Sequence, residues 1–321
     1  MKTRKLGRTG FQVTELGLGT WPLGGQGANF NYGAIAEHQA LGVLRAYVEG
    51  GGNFIDTARG YNNAEAIIGK FLIEDKVRDR VFLTSKTVAG QQADTLPQIR
   101  EDLETSLRLL NTEYLDVYFL HFPPEDPDLM ARALEIMDGL KAQGKIRSIG
   151  ASIKGPNVTE ATERLCDAYM GTGRLDVLQL VYSVLRQRNI SIIQKAQQRD
   201  VGMVARTALE SGLLTGAYRP GHVFPATDHR SRYNREKLDF VLRTVEEIRQ
   251  AAVKPPYAAL AEVALRFSLE PAGVSCLIFG AVTAAEVATN FKVLALPPLD
   301  PGLAAELKRR YGAITEQANF S

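Results

Sequence analysis

Four residues of this 321-residue chain are of the types that acid–base chemistry on a carbonyl group requires: Asp56, Tyr61, Lys86 and His121. A phenol, with an ordinary pKa of about 10, protonates an oxygen effectively at neutral pH only if a neighbour stabilises its phenolate, as Lys86 can. A buried lysine needs a counter-charge, which assigns Asp56, and His121 can hydrogen-bond and orient a carbonyl oxygen. Each residue alone also has a structural explanation, as a helix cap, core phenol, surface charge or core histidine. The four together predict a proton-transfer site.

Short apolar segments, typical of buried strands, deliver three of these residues at their ends. Phe54 and Ile55 precede Asp56, the segment 81–85 precedes Lys86, and the segment 115–120 precedes His121. Because the carboxyl ends of the strands of a parallel barrel meet at one face, this arrangement predicts a single site assembled there.

The predicted strand ends recur with a regular spacing. Those at Asp56, Lys86, His121, Ser152 and Gln179 are 27 to 35 residues apart. Further strands are predicted at 16–20, 202–205 and 274–279. This period is typical of βα units, so the sequence predicts an α/β protein whose residues 1–321 form a single (β/α)₈ barrel domain.

Three additions to the barrel are also predicted. Residues 1–14 read as a β-hairpin that plugs the amino-terminal mouth. Because the interval between the seventh and eighth strands is long, an insertion loop and helix are expected at about 208–255. A carboxyl-terminal helix and tail are expected at about 300–321.

The order Asp, Tyr, Lys, His, with four residues between Asp56 and Tyr61, resembles the aldo-keto reductase superfamily, and the resemblance covers nearly the whole chain. The segments 121–123 and 212–216 are most similar to the bacterial branch of inositol-catabolism reductases. The resemblance implies a (β/α)₈ barrel that reduces an aldehyde or ketone, such as a sugar, polyol-derived or small carbonyl compound, with NADP(H) or NAD(H) and without a metal. The other hypothesis is a nucleotide-binding regulatory subunit without significant turnover, which the complete set of four residues disfavours.

The resemblance also implies a nucleotide site beside the four residues. In it, Ser152 and Gln179 would hold the carboxamide, and Tyr182 would stack on the nicotinamide ring. The family's Tyr-Ser-Pro-Leu is replaced by residues 206–209, where Arg206 would contact a phosphate or form a salt bridge. The usual Asn after the serine is Ile153 here. The pyrophosphate would lie along backbone amides of a loop containing Leu209, Ser211 and Leu214.

The adenosine side of the nucleotide would lie on the segment after the eighth strand. The matching residues are Gly280, Val282, Glu286 and Asn290, with Asn290 on the adenine. The arginine or lysine usual near Val282, which would pair with a 2′-phosphate, is absent. We therefore expect NADP(H) preference to be weak, so that either nucleotide can serve.

Several residues near the predicted mouth have two interpretations. Trp21 is either a wall of the substrate pocket, as in the family, or a loop anchor. A metal site is suggested by His222, Asp228 and His229, but their spacing lacks a metal-binding motif. Arg230 and Arg232, in a loop punctuated by Pro and Gly, are expected to face solvent rather than clamp a cofactor.

Composition limits the classes of partner and location. The net charge is +2, from 38 basic and 36 acidic residues, so no broad basic surface for nucleic acid is expected. With 45% hydrophobic and 23% charged residues and no long apolar run, the chain reads as a soluble protein that does not bind membranes. Two cysteines, both in apolar patterns, indicate reduced buried thiols and a cytoplasmic location. The expected partner is a small carbonyl or alcohol substrate, and the oligomeric state is left open.

Overall fold

The computed structural model describes residues 1–25, 32–153 and 159–313. Eight parallel strands form a closed barrel in which the first strand pairs with the last, Gly19 beside Gly280. These strands are β3 (Leu16–Gly19), β4 (Phe54–Asp56), β5 (Phe82–Thr87), β6 (Val117–Leu120), β7 (Ile149–Ser152), β8 (Val177–Val181), β9 (Gly202–Arg206) and β10 (Cys276–Gly280). The predicted (β/α)₈ barrel is confirmed.

Helices that pack apolar faces onto the barrel connect the strands. In one of them, Ile99, Leu103, Leu107 and Leu110 are buried at spacings of three and four residues, which place them on one face of the helix. The helices are α1 (Glu37–Glu49), α2 (Ala64–Asp75), α3 (Gln98–Leu110), α4 (Pro127–Ala142), α5 (Glu160–Gly171), α6 (Ile190–Gln198), α7 (Arg235–Ala252), α8 (Leu260–Leu269), α9 (Ala284–Lys292) and α10 (Pro301–Tyr311).

Successive side chains along each strand alternate between two hydrophobic layers, one inside the barrel and one between the barrel and the helices. Phe54, Phe119 and Val204 belong to a cluster inside the barrel, whereas their neighbours Ile55 and Leu120 pack toward the helices. The residue two positions beyond an interior residue points inward again. The last inward positions of the strands therefore form a ring at the carboxyl-terminal mouth, directly above the interior cluster.

The predicted hairpin plug is confirmed at the opposite mouth. Strands β1 (Thr3–Lys5) and β2 (Gln12–Thr14) pair antiparallel, and Leu6, Phe11 and Val13 belong to the interior cluster. At the turn, Gly7 has a φ of 49°, and a Cβ there would lie 2.1 Å from the backbone nitrogen of Gly202. Only glycine therefore lets the hairpin approach the barrel so closely.

The predicted insertion between the last two barrel strands is also present. A loop carrying a 3₁₀ turn (His229–Arg232) and α7 precede α8, which returns the chain to β10. The assignment of 1–321 to one domain remains a prediction, and the predicted tail from 314 onward lies outside the described residues.

Both cysteines are buried and free. Burial raises the pKa of the Cys166 thiol to about 12, so this thiol stays protonated and unreactive near neutral pH. No helix in the described ranges has the length and apolar character needed to cross a membrane. The cytoplasmic location remains a prediction.

Candidate active site

A buried ion pair lies at the centre of the carboxyl-terminal mouth. Lys86 donates to Asp56 Oδ2 at 2.6 Å and to the Thr57 carbonyl oxygen at 2.8 Å. The other carboxylate oxygen, Asp56 Oδ1, accepts a hydrogen bond from Thr84 Oγ1 at 3.1 Å. The side chains of Lys86 and Asp56 are 0% and 1% exposed. Because buried ionisable groups are costly unless they are paired and hydrogen-bonded, this pairing offsets the cost of burial and fixes the lysine in position.

Tyr61 and His121 lie above this pair, and both are partly exposed. The Lys86 ammonium lies 5.0 Å from the centroid of the Tyr61 ring, and the Tyr61 and His121 rings are 5.8 Å apart, nearly perpendicular. Lys86 thus stands between Asp56 and Tyr61, but it meets the phenol over the ring face and not through a hydrogen bond to the hydroxyl. Phe122 stacks on His121 with centroids 4.6 Å apart.

Hydrogen bonds and an ion pair hold the loop that carries Tyr61 in position. The Tyr61 N–H donates to the Ala58 carbonyl oxygen, which closes a turn immediately before α2. Glu65, buried in the first turn of α2, forms an ion pair with Arg59 at 2.5 Å and accepts from Ser85 Oγ at 2.7 Å. These contacts fix the loop to β5, the strand that carries Lys86. This role of Glu65 was not predicted from the sequence.

Ser152 and Gln179 join the same network. Ser152 Oγ donates to Gln179 Oε1 at 3.4 Å, and Gln179 Nε2 donates to Asp56 Oδ1 at 2.8 Å. A hydroxyl and a carboxamide, adjacent at the mouth, offer the donor and acceptor types that a nicotinamide carboxamide needs, so the residues present fit that group. The Gln179–Asp56 bond, which spans 123 residues, was not predicted.

The structure does not bring Tyr182 into this mouth. Its side chain is 1% exposed and stacks on Phe267 of α8 with centroids 5.9 Å apart. The reason is strand parity: Gln179 points inward, so a residue three positions later points toward the helices. The expected stacking of Tyr182 on a nicotinamide ring is therefore not supported by its position.

Arg206, the last residue of β9, is placed at the mouth. Its Nη2 donates to the carbonyl oxygen of Ile153 at 2.9 Å. The described residues include no carboxylate within ion-pair distance of its guanidinium, so the salt-bridge interpretation finds no support there.

The loop after β9 has an unusual backbone. Thr207, Glu210 and Ser211 have φ values of 65°, 47° and 54°, in the left-handed region that non-glycine residues rarely occupy. Of the three predicted pyrophosphate residues, Leu214 already donates its amide to the Leu209 carbonyl oxygen at 3.1 Å. Within the described chain, the amides of Leu209 and Ser211 make no such backbone bond.

Two buried arginines hold this loop in place. Glu210 accepts from Arg186 Nε at 2.8 Å and from Ser183 Oγ. On the other side, Arg230 donates to the Ser211 carbonyl oxygen at 2.8 Å.

The prediction that Arg230 faces solvent was wrong. Arg230 is 7% exposed, pairs with Asp228 at 2.6 Å, and lies over the rings of Tyr32, Tyr218 and Phe224. Aromatic faces stabilise the guanidinium where water is excluded. Burial acts to raise the pKa of Asp228, but its hydrogen bonds to Arg230 outweigh that and hold the pKa below its ordinary value. Arg232, by contrast, is exposed.

The segment predicted to bind adenosine starts at exposed Gly280, the last residue of β10. Glu286, in the first turn of α9, accepts a hydrogen bond from the Val282 amide at 2.8 Å. A carboxylate therefore lies near the position where the family usually has a cation that pairs with a 2′-phosphate. Asn290 is buried on the same face of α9 as Val287.

Trp21 lies at the mouth, at the start of a 3₁₀ turn directly after β3. Its ring meets those of Tyr32 and His229 edge to face, at 5.3 and 4.8 Å. Trp21 therefore contacts the insertion loop, an arrangement compatible with either of its two interpretations. The glycine-rich segment 24–33 is expected from the sequence to be a loop that could cover the mouth, and its residues 26–31 lie outside the described residues.

A metal site at the mouth gains no support from side-chain positions. In the ranges that the structure describes, no three His, Cys, Asp or Glu side chains converge as ligands. Asp228 is held by Arg230 instead.

An eight-stranded parallel barrel with Asp, Tyr, Lys and His at one mouth defines a class of reductase, and the sequence places the chain in it. The profile of the Aldo/keto reductase family matches residues 15–310, and the chain belongs to this family. The aldo-keto reductase YhdN of Bacillus subtilis (strain 168) is 28% identical to it, over 88% of this chain and 85% of YhdN. The NADH-specific methylglyoxal reductase of Escherichia coli (strain K12) is 27% identical, over 92% and 94% of the two chains.

A solved structure has the same fold. The holo form of the aldo-keto reductase AKR11C1 from Bacillus halodurans superposes with a TM-score of 0.77 at 24% identity, covering 99% of this chain and 100% of that one. The protein is thus an NAD(P)H-dependent oxidoreductase that interconverts carbonyl compounds and alcohols. The narrower resemblance to inositol-catabolism reductases remains a prediction.

Proposed function

We propose that Asp56, Tyr61, Lys86 and His121 perform the proton transfer of this carbonyl–alcohol interconversion. The observation that carries this is the position of Lys86, buried between Asp56 and the Tyr61 ring. Tyr61 gives its proton to the carbonyl oxygen, and the Lys86 charge stabilises the phenolate that remains. His121, beside Tyr61, hydrogen-bonds the same oxygen and orients it.

A nicotinamide nucleotide supplies the hydride when bound. Ser152 and Gln179 hold its carboxamide, and the Leu209 and Ser211 amides receive the phosphates. Their support is the hydrogen-bond chain to Asp56 and the strained loop after β9. Further contacts with the nucleotide are proposed for Arg206, Leu214, Gly280, Val282, Glu286 and Asn290. The contact of Leu214 has the weakest support, because its amide already donates to a carbonyl oxygen within the loop.

Replacement of Tyr61 tests the proposal. Tyr61→Phe should slow single-turnover hydride transfer by about 10²–10⁴-fold, because the proton donor is lost, while nucleotide binding changes little. Tyr114→Phe, a phenol packed on Arg78 away from the mouth, is the matched control. A Tyr61→Phe variant with wild-type hydride transfer would overturn the assignment. A regulatory subunit without turnover would bind nucleotide equally in both variants and have no turnover to lose.

Both nucleotides are proposed to serve as cofactor. Val282 offers no charge to a 2′-phosphate, and the Glu286 carboxylate is bound to the Val282 amide. One relative is named as NADH-specific, which agrees with this proposal. Equilibrium titration should show a preference for NADPH over NADH of less than about a hundredfold, or roughly 2.7 kcal/mol. A larger preference would mean that another cation, such as Lys292, reaches the 2′-phosphate.

The proposed substrate is a small aldehyde or ketone, a class to which methylglyoxal, the substrate in one relative's name, belongs. Trp21, packed against His229, and Phe122, stacked on His121, supply aromatic surface at this mouth, and this favours a compact molecule with an apolar edge. A screen of small aldehydes, sugars and polyols with both nucleotides tests this choice.

A further inference from the structure

Arg206 points into the mouth. Val204, two residues earlier, lies in the interior cluster, so strand alternation directs Arg206 to the same side. Its guanidinium donates to the carbonyl oxygen of Ile153, immediately after Ser152. It therefore reaches from β9 past the neighbouring strand β8, which carries Gln179, to the end of β7.

In the part of the chain that the structure describes, no carboxylate pairs with the Arg206 guanidinium. Its hydrogen bonds in the described chain go to the Ile153 carbonyl oxygen and, at 3.4 Å, to Thr207 Oγ1, both neutral groups. The nearby carboxylates are committed elsewhere, Asp56 to Lys86 and Glu210 to Arg186. Burial lowers the pKa of Arg206, and Tyr61 and Asp56 act in the opposite direction. Arginine stays protonated even so, so a fixed positive charge faces the site.

We propose that Arg206 makes the site bind the reduced nicotinamide nucleotide in preference to the oxidised one. The inference rests on the proposed function, in which Ser152 and Gln179 hold the carboxamide. Arg206 contacts the residue next to one of them and lies on the strand next to the other. The nicotinamide ring is uncharged when reduced and carries a positive charge when oxidised. A fixed cation within reach destabilises only the charged form.

This preference bears on the direction of the reaction. In reduction, the carbonyl carbon accepts a hydride from the nucleotide and the oxygen accepts a proton from Tyr61. The products are the alcohol and the oxidised, positively charged nucleotide. Arg206 raises the free energy of that product complex. It therefore speeds release of the oxidised nucleotide and shifts the equilibrium between bound reactants and products toward the carbonyl side.

Two other roles for the same charge predict different results. A phosphate contact would act on both oxidation states alike, because both carry the same phosphates. A contact with an anionic substrate would leave the affinity for both nucleotides unchanged. The ratio of the two dissociation constants therefore isolates the proposed effect.

The experiment is calorimetric titration of the full chain with NADPH and NADP⁺, and with NADH and NAD⁺. In Arg206→Met, the Kd ratio of oxidised to reduced nucleotide should fall about tenfold, chiefly through tighter binding of the oxidised form. Arg206→Lys, which keeps the charge, should stay within about threefold of the wild-type ratio. Arg132→Met, on α4 away from the mouth, is the matched control. A ratio unchanged within twofold in Arg206→Met overturns the inference, whether both affinities fall or neither does.

The outcomes also separate this inference from the proposed function. A wild-type chain that binds neither nucleotide contradicts the proposed function. A chain that binds both, with a ratio insensitive to the charge at position 206, contradicts the inference alone. If Arg206→Met does not fold, Arg206→Gln takes its place, since it keeps a donor for the Ile153 carbonyl oxygen and removes the charge.

Discussion

The two sides of the barrel mouth are built differently. On the catalytic side, formed by β4 to β6, Asp56 and Lys86 are buried, paired and held by strand geometry. On the nucleotide side, β9 ends in Arg206, whose guanidinium has no carboxylate partner among the described residues, and continues into a loop with three non-glycine residues in the left-handed region. Side chains on strands are held by the sheet itself. A loop that offers backbone amides must be held from outside, here by Arg186 and Arg230.

The largest expected effect breaks the catalytic side. Lys86→Met should slow hydride transfer at least about 10³-fold, because Tyr61 loses the charge that stabilises its phenolate. It should also lower the free energy of unfolding by about 3–5 kcal/mol, because the Asp56 carboxylate is left buried without its partner. Stopped-flow single turnover and urea unfolding measure the two effects.

An exposed lysine provides the control for this substitution. Lys70→Met removes the exposed ion pairs of Lys70 with Glu37 and Glu74 and should cost less than about 1 kcal/mol. Adding Asp56→Asn to Lys86→Met should restore part of the lost stability, since the unpaired charge is then gone. Equal stability of Lys86→Met and the wild type would contradict the account of the catalytic side.

A smaller effect is expected from loosening the nucleotide side. Glu210→Gln removes the charge that holds Arg186 and should raise the Kd for NADPH about tenfold, or about 1.4 kcal/mol. Hydride transfer at saturating nucleotide should change less than about threefold, because the catalytic side is untouched. Fluorescence titration gives the Kd, and Glu104→Gln, an exposed glutamate paired with Lys145, is the control. A loss of hydride transfer as large as the loss of affinity would show that the two sides are not independent.

The smallest effect is expected from the ion pair of Asp228 with Arg230, the arginine that holds the loop after β9. Asp228→Asn keeps the size of the side chain and its acceptor for the Arg230 amide, so we expect a loss of only about 1 kcal/mol near neutral pH. Because folding lowers the pKa of Asp228, its contribution is full above the ordinary value of 3.8 and is lost as pH falls through the lower folded value. Urea unfolding at pH 7 and near pH 3 should show the difference between wild type and variant shrinking only in acid. A difference that shrinks already between pH 7 and 5 would rule out this carboxylate as the cause.

The correct predictions of site residues came from the pattern of short apolar strands. Asp56, Lys86 and His121 were found because each follows a short apolar segment, and parallel strands bring such ends together. The strand predicted to end at Ser152 does so, as β7 (Ile149–Ser152), and Ile146 forms only an isolated bridge to Leu115.

The errors had physical causes that are visible in particular residues. Tyr182 was expected in the mouth together with Gln179. The two residues are three positions apart, and residues an odd number of positions apart along a strand point to opposite faces. The sequence therefore already contained the information needed to avoid this error. Arg230 was expected in solvent because its loop is polar, and nothing local indicated that Tyr32, nearly two hundred residues away, covers it. The backbone strain at Thr207 likewise depends on contacts made elsewhere in the chain.

The position of the hairpin plug constrains the order in which the chain folds during synthesis. Its Arg8 is bonded to the Asp200 carbonyl oxygen, 192 residues further along, and β3 pairs with β10 still later in the chain. On a ribosome that adds about 5–20 residues per second, the hairpin waits roughly 10–40 s for the strand it covers to be made. During that time Leu6, Phe11 and Val13 have no barrel interior to enter. The hairpin is synthesised before the strands it covers and is therefore among the last segments to find its place, so a nascent chain exposes a short apolar stretch that a chaperone can hold.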